Sequence, residues 1–133
     1  MLYHASPVGN EISCVFHGVD SKLLEDHPRL EGILRDALAA DKFNIEGELD
    51  KEFNPQGYSI IALLSESHAA IHTYPEFNSL HFDIYTCRAP GDGKKTFEYL
   101  KEKLNPSDID YHERPVRVSP PAREAIMPAR EKF

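Results

Sequence analysis

Residues 80–87, Leu80-His81-Phe82-Asp83-Ile84-Tyr85-Thr86-Cys87, follow a strict two-residue period. Successive side chains leave a strand on opposite faces. Leu80, Phe82, Ile84 and Thr86 therefore share one side, and His81, Asp83, Tyr85 and Cys87 the other. Such a segment requires a sheet with one dry face and one wetter face, and the rest of the chain must cover the dry one. Residues 11–18 repeat the period, with Ile12, Cys14 and Phe16 set against Ser13, Val15 and His17. The run YSIIALL, from Tyr58 to Leu64, reads as a buried strand; a shorter one is predicted over 68–73, and weaker signals lie at 43–51 and 109–118.

Two segments carry a helical period instead. Asp20 or Ser21 opens a helix, and the recurrence of Leu30, Ile33, Leu34, Ala37 and Leu38 carries it to about Ala40. Phe97, Leu100 and Leu104 mark a second helix over 94–104, with Asp92 as its predicted cap and Asn105-Pro106 as its stop. Turn chemistry stands at Asn54-Pro55-Gln56-Gly57 and at Gly91-Asp92-Gly93. The order β-α-β-β-β-β-α-β predicts an α+β fold: a two-layer sandwich, a mostly antiparallel sheet with two helices on one face. A length of 133 residues suits one such domain, expected over 1–118, with a Pro-containing tail over 119–133. The uncovered sheet face needs a partner or water, and a homodimer is expected.

Charge narrows the function. Residues 1–66 hold 12 acids and 5 bases, residues 67–133 hold 10 of each, and the whole net charge of −7 therefore lies in the first half. An acidic surface repels phosphate backbones and anionic lipid, which argues against nucleic-acid and membrane partners and favours a small cationic one. No apolar run approaches the roughly 20 residues of a membrane span, and no basic n-region precedes an apolar stretch at the N-terminus, so a cytoplasmic protein is expected. Cys14 and Cys87 are too few for a disulfide framework and too far apart in sequence for a zinc motif.

Polar side chains concentrate in Ser65-Glu66-Ser67-His68-Ala69-Ala70-Ile71-His72-Thr73-Tyr74-Pro75-Glu76, directly after the apolar IIALL. Polar groups at the end of a buried strand are costly unless they pair or do chemistry. One reading makes them hydrogen-bonded turn residues. A metal reading uses His68 and His72, but Ala69 stands where the zinc-protease motif has Glu, and no metal is expected. A hydrolase reading makes Ser67 a nucleophile with His72 as base, but the glycines of a nucleophile elbow are missing.

A fourth reading rests on resemblance. The run from Leu64 to Glu76, with Phe53-x-Pro55-Gln56-Gly57 upstream and Asp83-Ile84-Tyr85-Thr86-Cys87 downstream, resembles the processing and active-site segment of the small prokaryotic S-adenosylmethionine decarboxylase family. The resemblance implies a self-processing enzyme of polyamine biosynthesis. Ser67 would attack the Glu66 carbonyl, and elimination and hydrolysis would leave a β chain 1–66 and an α chain 67–133 that begins with a covalent pyruvoyl group made from Ser67. That group forms a Schiff base with the substrate amine and serves as the electron sink for loss of CO2. By the same resemblance His72 is the processing base, Ser59 its support and Cys87 the general acid that reprotonates the product. Phe53 and Tyr74 would flank the adenine, and Glu76 would hold the ribose. The family also implies at least a dimer, with residues of two protomers near each site.

Several positions depart from the family pattern. Glu11 replaces a His near the N-terminus, Phe77 to Phe82 replace small residues, and Arg88 replaces the Gly that follows Cys87. These changes bear on substrate. S-adenosylmethionine is the expected substrate, with arginine or ornithine as the alternative, for whose terminal cation Glu11 is the candidate partner and Phe77 and Phe82 the candidate filling residues. A non-catalytic polyamine-binding paralogue is the further alternative.

Overall fold

A computed structural model describes residues 4–120. Six strands, β1 (Val8–His17), β2 (Ile45–Glu52), β3 (Tyr58–Leu64), β4 (Ser67–Tyr74), β5 (Ser79–Thr86) and β6 (Asp108–Arg117), form one sheet in the order β2-β3-β4-β5-β1-β6. Every pairing is antiparallel. The helices are α1 (Ser21–Glu25), α2 (His27–Ala40) and α3 (Lys94–Leu104), and a single 3-10 turn at Pro75–Phe77 joins β4 to β5. The expected α+β sandwich is what forms.

The two-residue period decides which face is covered. Ile12, Phe16, Ile60, Ile71, Phe82 and Ile84 are buried in the same core as Leu30, Leu34 and Leu38 of α2 and Leu100 and Leu104 of α3. Burying an aliphatic or aromatic side chain of this size contributes roughly 1.5–3 kcal/mol, so this one layer of contacts supplies the main driving force. The opposite face carries Glu11, Ser13, Ser59, His72, His81 and Asp83, which the strand registers set beside one another.

Three local expectations change. The helix expected over 21–40 is two helices, because the Asp26 side chain accepts from the Arg29 N–H at 3.2 Å and starts α2 afresh, with Pro28 in its first turn. Pro has no N–H to give to the preceding turn, so α1 cannot run through it. Asp92 does not cap α3; Gly93 does, at φ 98°, with no side-chain bond, while the Asp92 carboxylate turns to Arg88. Phe43 does not begin β2, because its N–H bonds the Leu38 carbonyl at 2.9 Å and its ring is buried in the core. Most of the predicted tail, residues 121–133, lies outside the described residues. Val118 and Ser119 donate to the Pro7 carbonyl, which ties the start of that segment to the lead into β1.

Candidate active site

The β3–β4 hairpin turns at Ser65 and Glu66, and side chains fasten that turn. The Ser65 hydroxyl donates to Glu46 at 2.6 Å and accepts from the Asn44 amide at 3.1 Å, and the Ser65 N–H bonds the Asn44 carbonyl at 3.0 Å. Ser67 opens β4 opposite Thr86, so Cys87, one residue past the end of β5, comes to rest beside Glu66. The Cys87 thiol donates to the Glu66 carbonyl oxygen at 2.6 Å, and the Cys87 N–H donates to the Ser67 hydroxyl oxygen at 3.2 Å. The Ser6 N–H in turn holds the Cys87 carbonyl at 3.0 Å.

Cys87 thus holds both the carbonyl oxygen of Glu66 and the hydroxyl oxygen of Ser67, on either side of the peptide bond that joins them. A donor on the carbonyl oxygen withdraws charge from its carbon and stands ready for an oxyanion. A donor on the serine oxygen orients that hydroxyl beside its own preceding carbonyl. The geometry can support attack of the hydroxyl on the neighbouring carbonyl carbon.

A second polar centre lies on the open sheet face. The Ser59 hydroxyl and His72 Nδ1 are 2.7 Å apart on paired positions of β3 and β4. His72 is paired in turn with His81 of β5, their rings 6.0 Å apart, and His81 Nε2 lies 3.1 Å from the Ser13 hydroxyl of β1. The result is a polar row, Ser59-His72-His81-Ser13, across four strands. Ser13 and His81 belong to no motif; the alternation that sets them on the wetter face was the available signal.

The two centres are not adjacent within one chain. Five residues of extended strand separate Ser67 from His72, which is roughly 17 Å at about 3.4 Å per residue. The same spacing keeps His68 and His72 roughly 14 Å apart along the strand, too far for both to ligate one ion. Among the described residues no group of three or more His, Cys, Asp or Glu side chains is arranged to hold a metal.

The expected substrate-binding residues are scattered. Phe53 and Tyr74 are each 47% exposed, and Phe53 shares a shallow cleft with Leu24, His27, Glu52, Gly57 and Pro75. Glu76 is exposed on the 3-10 turn. Glu11 is not a bare carboxylate, since the Arg114 guanidinium donates to it at 2.8 Å. Phe82 does not fill a pocket; it is a core residue, whereas Phe77 is 73% exposed. Burial, helped by the carboxylates of Asp83 and Asp110, pushes the Cys14 thiol up to about 12, so this second cysteine is an inert core residue.

Comparison with known proteins bears on this arrangement. The family model described as S-adenosylmethionine decarboxylase matches residues 10–115. An S-adenosylmethionine decarboxylase proenzyme of Thermoplasma volcanium is 38% identical over 102 residues, covering 77% of this chain and 78% of the relative. An arginine decarboxylase proenzyme of Pyrobaculum arsenaticum is 34% identical over 112 residues, covering 80% and 84%. The crystal structure of the adenosylmethionine decarboxylase from Aquifex aeolicus superimposes with a TM-score of 0.79 at 26% identity, covering 87% of this chain and 96% of that one. The family model and these relatives make the protein a decarboxylase. The chain belongs to the S-adenosylmethionine decarboxylase family.

Proposed function

We propose that this protein is a proenzyme that cuts itself between Glu66 and Ser67 and then decarboxylates S-adenosylmethionine. The observation that carries this reading is the double contact from Cys87, thiol to the Glu66 carbonyl and N–H to the Ser67 hydroxyl. In the first step the Ser67 oxygen bonds to the Glu66 carbonyl carbon, the peptide C–N bond breaks, and the freed nitrogen takes the hydroxyl proton. A base then removes the Ser67 Cα proton, the Glu66 carboxylate leaves, and hydrolysis with loss of ammonia turns the new N-terminus into a pyruvoyl group. The surroundings fit that group, because the Cys87 N–H that holds the serine side chain remains within reach of whatever replaces it. The pyruvoyl ketone supplies the electron sink for decarboxylation. The Cys87 thiol, a few ångströms away, is the proton donor for the product carbon.

The base is His72, held by Ser59, and it comes from a second copy of the chain. The separation of roughly 17 Å along β4 excludes it from its own Ser67, because proton transfer needs contact within about 3.2 Å. Leu49 (81% exposed), Ile61 (49%) and Leu63 (60%) lie on the same face as Ser59 and His72 by register, and a second copy would cover them. The enzyme is therefore a homodimer of cleaved protomers, each site built from two chains. Neither cysteine is in a disulfide, and no described helix is long and apolar enough to cross a membrane; we place the enzyme in the cytoplasm.

The arginine decarboxylase relative favours a second reading of the substrate, arginine or ornithine on the same machinery. Denaturing mass spectrometry tests the processing: fragments 1–66 and 67–133 are expected, the latter with a ketone-bearing, blocked N-terminus. A single intact mass in active material refutes it. Release of CO2 compared across S-adenosylmethionine, arginine and ornithine assigns the substrate.

A further inference from the structure

We infer that Arg88 is a positioning residue for Cys87: its guanidinium fastens the turn after β5 to the connection between α2 and β2, and so fixes the thiol on the Glu66 carbonyl. The inference rests on the self-cleavage proposed above and adds a residue at which the family pattern has Gly. Arg88 Nε and Nη2 donate to the two Asp92 oxygens at 2.6 and 2.9 Å in a forked pair. Nη2 also reaches Asp41 at 3.3 Å, and Nη1 reaches the Lys42 carbonyl at 3.1 Å. The guanidinium lies 3.5 Å over the Phe43 ring, and that ring is itself buried.

The main chain of the same residue is held as well. The Arg88 N–H donates to the Thr86 hydroxyl at 3.2 Å, and that hydroxyl donates to Asp92 at 2.7 Å, which closes a ring through residues 86, 88 and 92. The anchor is firm, because Asp41 accepts from the Thr96 N–H at 3.0 Å and the Thr96 hydroxyl at 2.8 Å at the start of α3. Cys87 sits between Thr86 and Arg88, so its backbone cannot shift without breaking this set.

Two considerations separate positioning from plain stability. Asp41 keeps its bonds from Thr96 without Arg88, and Asp92 keeps the Thr86 hydroxyl, so few buried polar atoms are orphaned when the guanidinium is removed. Gly91 and Gly93, at φ 73° and 98°, are the residues through which the turn can rearrange, since glycine has the widest backbone freedom, and besides Arg88 the loop is held through the Thr86 hydroxyl and the Asn10 amide on Asp92. A misplacement of about 1 Å at reacting groups can cost about a hundredfold in rate, and the thiol is one of those groups.

The test uses the full chain made by cell-free translation, with conversion to two fragments followed on denaturing gels. Arg88→Gly should slow conversion at least tenfold, and Arg88→Lys, which keeps the charge but not the fork, should fall between the two. Arg35→Met removes a comparable forked pair with Glu48, a residue that sits opposite Ala62 and is not one of those that fasten the Ser65–Glu66 turn, and should convert at the parent rate. A second arm is independent of cleavage: in the uncleavable Ser67→Ala chain, alkylation of Cys87 by iodoacetamide should accelerate several-fold when Arg88→Gly is added, and Arg35→Met should leave it unchanged. Parent-like conversion and parent-like alkylation in Arg88→Gly would overturn the inference, as would equal slowing by Arg35→Met. Should the parent chain never cleave, the proposed self-processing falls, and the alkylation arm still decides whether Arg88 holds the thiol.

Discussion

Two separately inactive variants should restore cleavage to each other. Ser67→Ala removes the nucleophile, and His72→Ala removes the base. Loss of a positioned acid or base costs about 10²–10⁴ in rate, so each variant alone should stay uncut. Within one chain the two side chains sit five residues apart on β4, roughly 17 Å, and an imidazole spans only a few ångströms from its own Cα. A dimer joining one copy of each variant contains one complete site, made of Ser67 from the His72→Ala chain and His72 from the Ser67→Ala chain. The assay is co-expression with two different tags, sequential purification on both, and denaturing electrophoresis. In two-fold symmetric pairs the His72→Ala chain should be cut and the Ser67→Ala chain should remain whole. Were the site built within one chain, neither would be cut. An uncut doubly tagged pair, or His72→Ala that cleaves alone at the parent rate, refutes the shared site.

Other outcomes follow from the same contacts. Ser59→Ala leaves His72 Nδ1 without its partner and should slow self-cleavage about tenfold while the thermal midpoint stays near the parent value, read by gel and circular dichroism. Phe82→Ala empties a fully buried core site and should cost about 3–5 kcal/mol in denaturant unfolding. At alkaline pH the unfolded chain gives up the Cys14 proton near the ordinary value of 9.0 while burial keeps it in the folded chain up to about 12. Stability should therefore fall as pH rises through that window, and Cys14→Val should flatten the fall in urea titrations. Burial pushes the Asp92 carboxyl up, but hydrogen bonds from Arg88 and Thr86 outweigh it and hold it below the usual range. Its contribution is present above the ordinary carboxylate pKa and lost as pH falls below it, so Arg88→Gly should make acid unfolding shallower.

What could be read from the sequence follows from how local each cause is. The period of residues 80–87 is decided by burial on one face, and β5 and α3 follow their patterns closely; YSIIALL forms β3 as expected but is not buried throughout, because Ile61 and Leu63 lie on the open face. The break between α1 and α2 was also local, since Asp26 and Pro28 stand in the sequence as a capping residue and a helix start, but the longer apolar stripe masked them. The cysteine–carbonyl contact was not legible, because it depends on which residue of β5 ends up opposite Glu66, and register is a property of the assembled sheet. Glu11 misled for the same reason: its partner Arg114 is far away in sequence and arrives only when β6 pairs with β1. Arg88 read as a substitution near the substrate, whereas its partners Asp41 and Phe43 meet it only in the fold.

The order of strands would give the proposed cut at the β3–β4 turn a mechanical consequence. Residues 1–66 contribute β1, β2 and β3, and residues 67–133 contribute β4, β5 and β6. Across the sheet the two pieces therefore run β2-β3, then β4-β5, then β1, then β6, so that β1 of the first piece is clasped between two strands of the second. Neither fragment can leave without opening three ladders, β3 with β4, β5 with β1, and β1 with β6. Breaking one covalent bond thus leaves the native assembly interlocked but changes the molecularity of its unfolding. The uncut dimer would melt into two chains and the cut dimer into four, so cleavage would steepen the rise of the midpoint with protein concentration, and dilution after denaturation would separate strands that the intact chain keeps together.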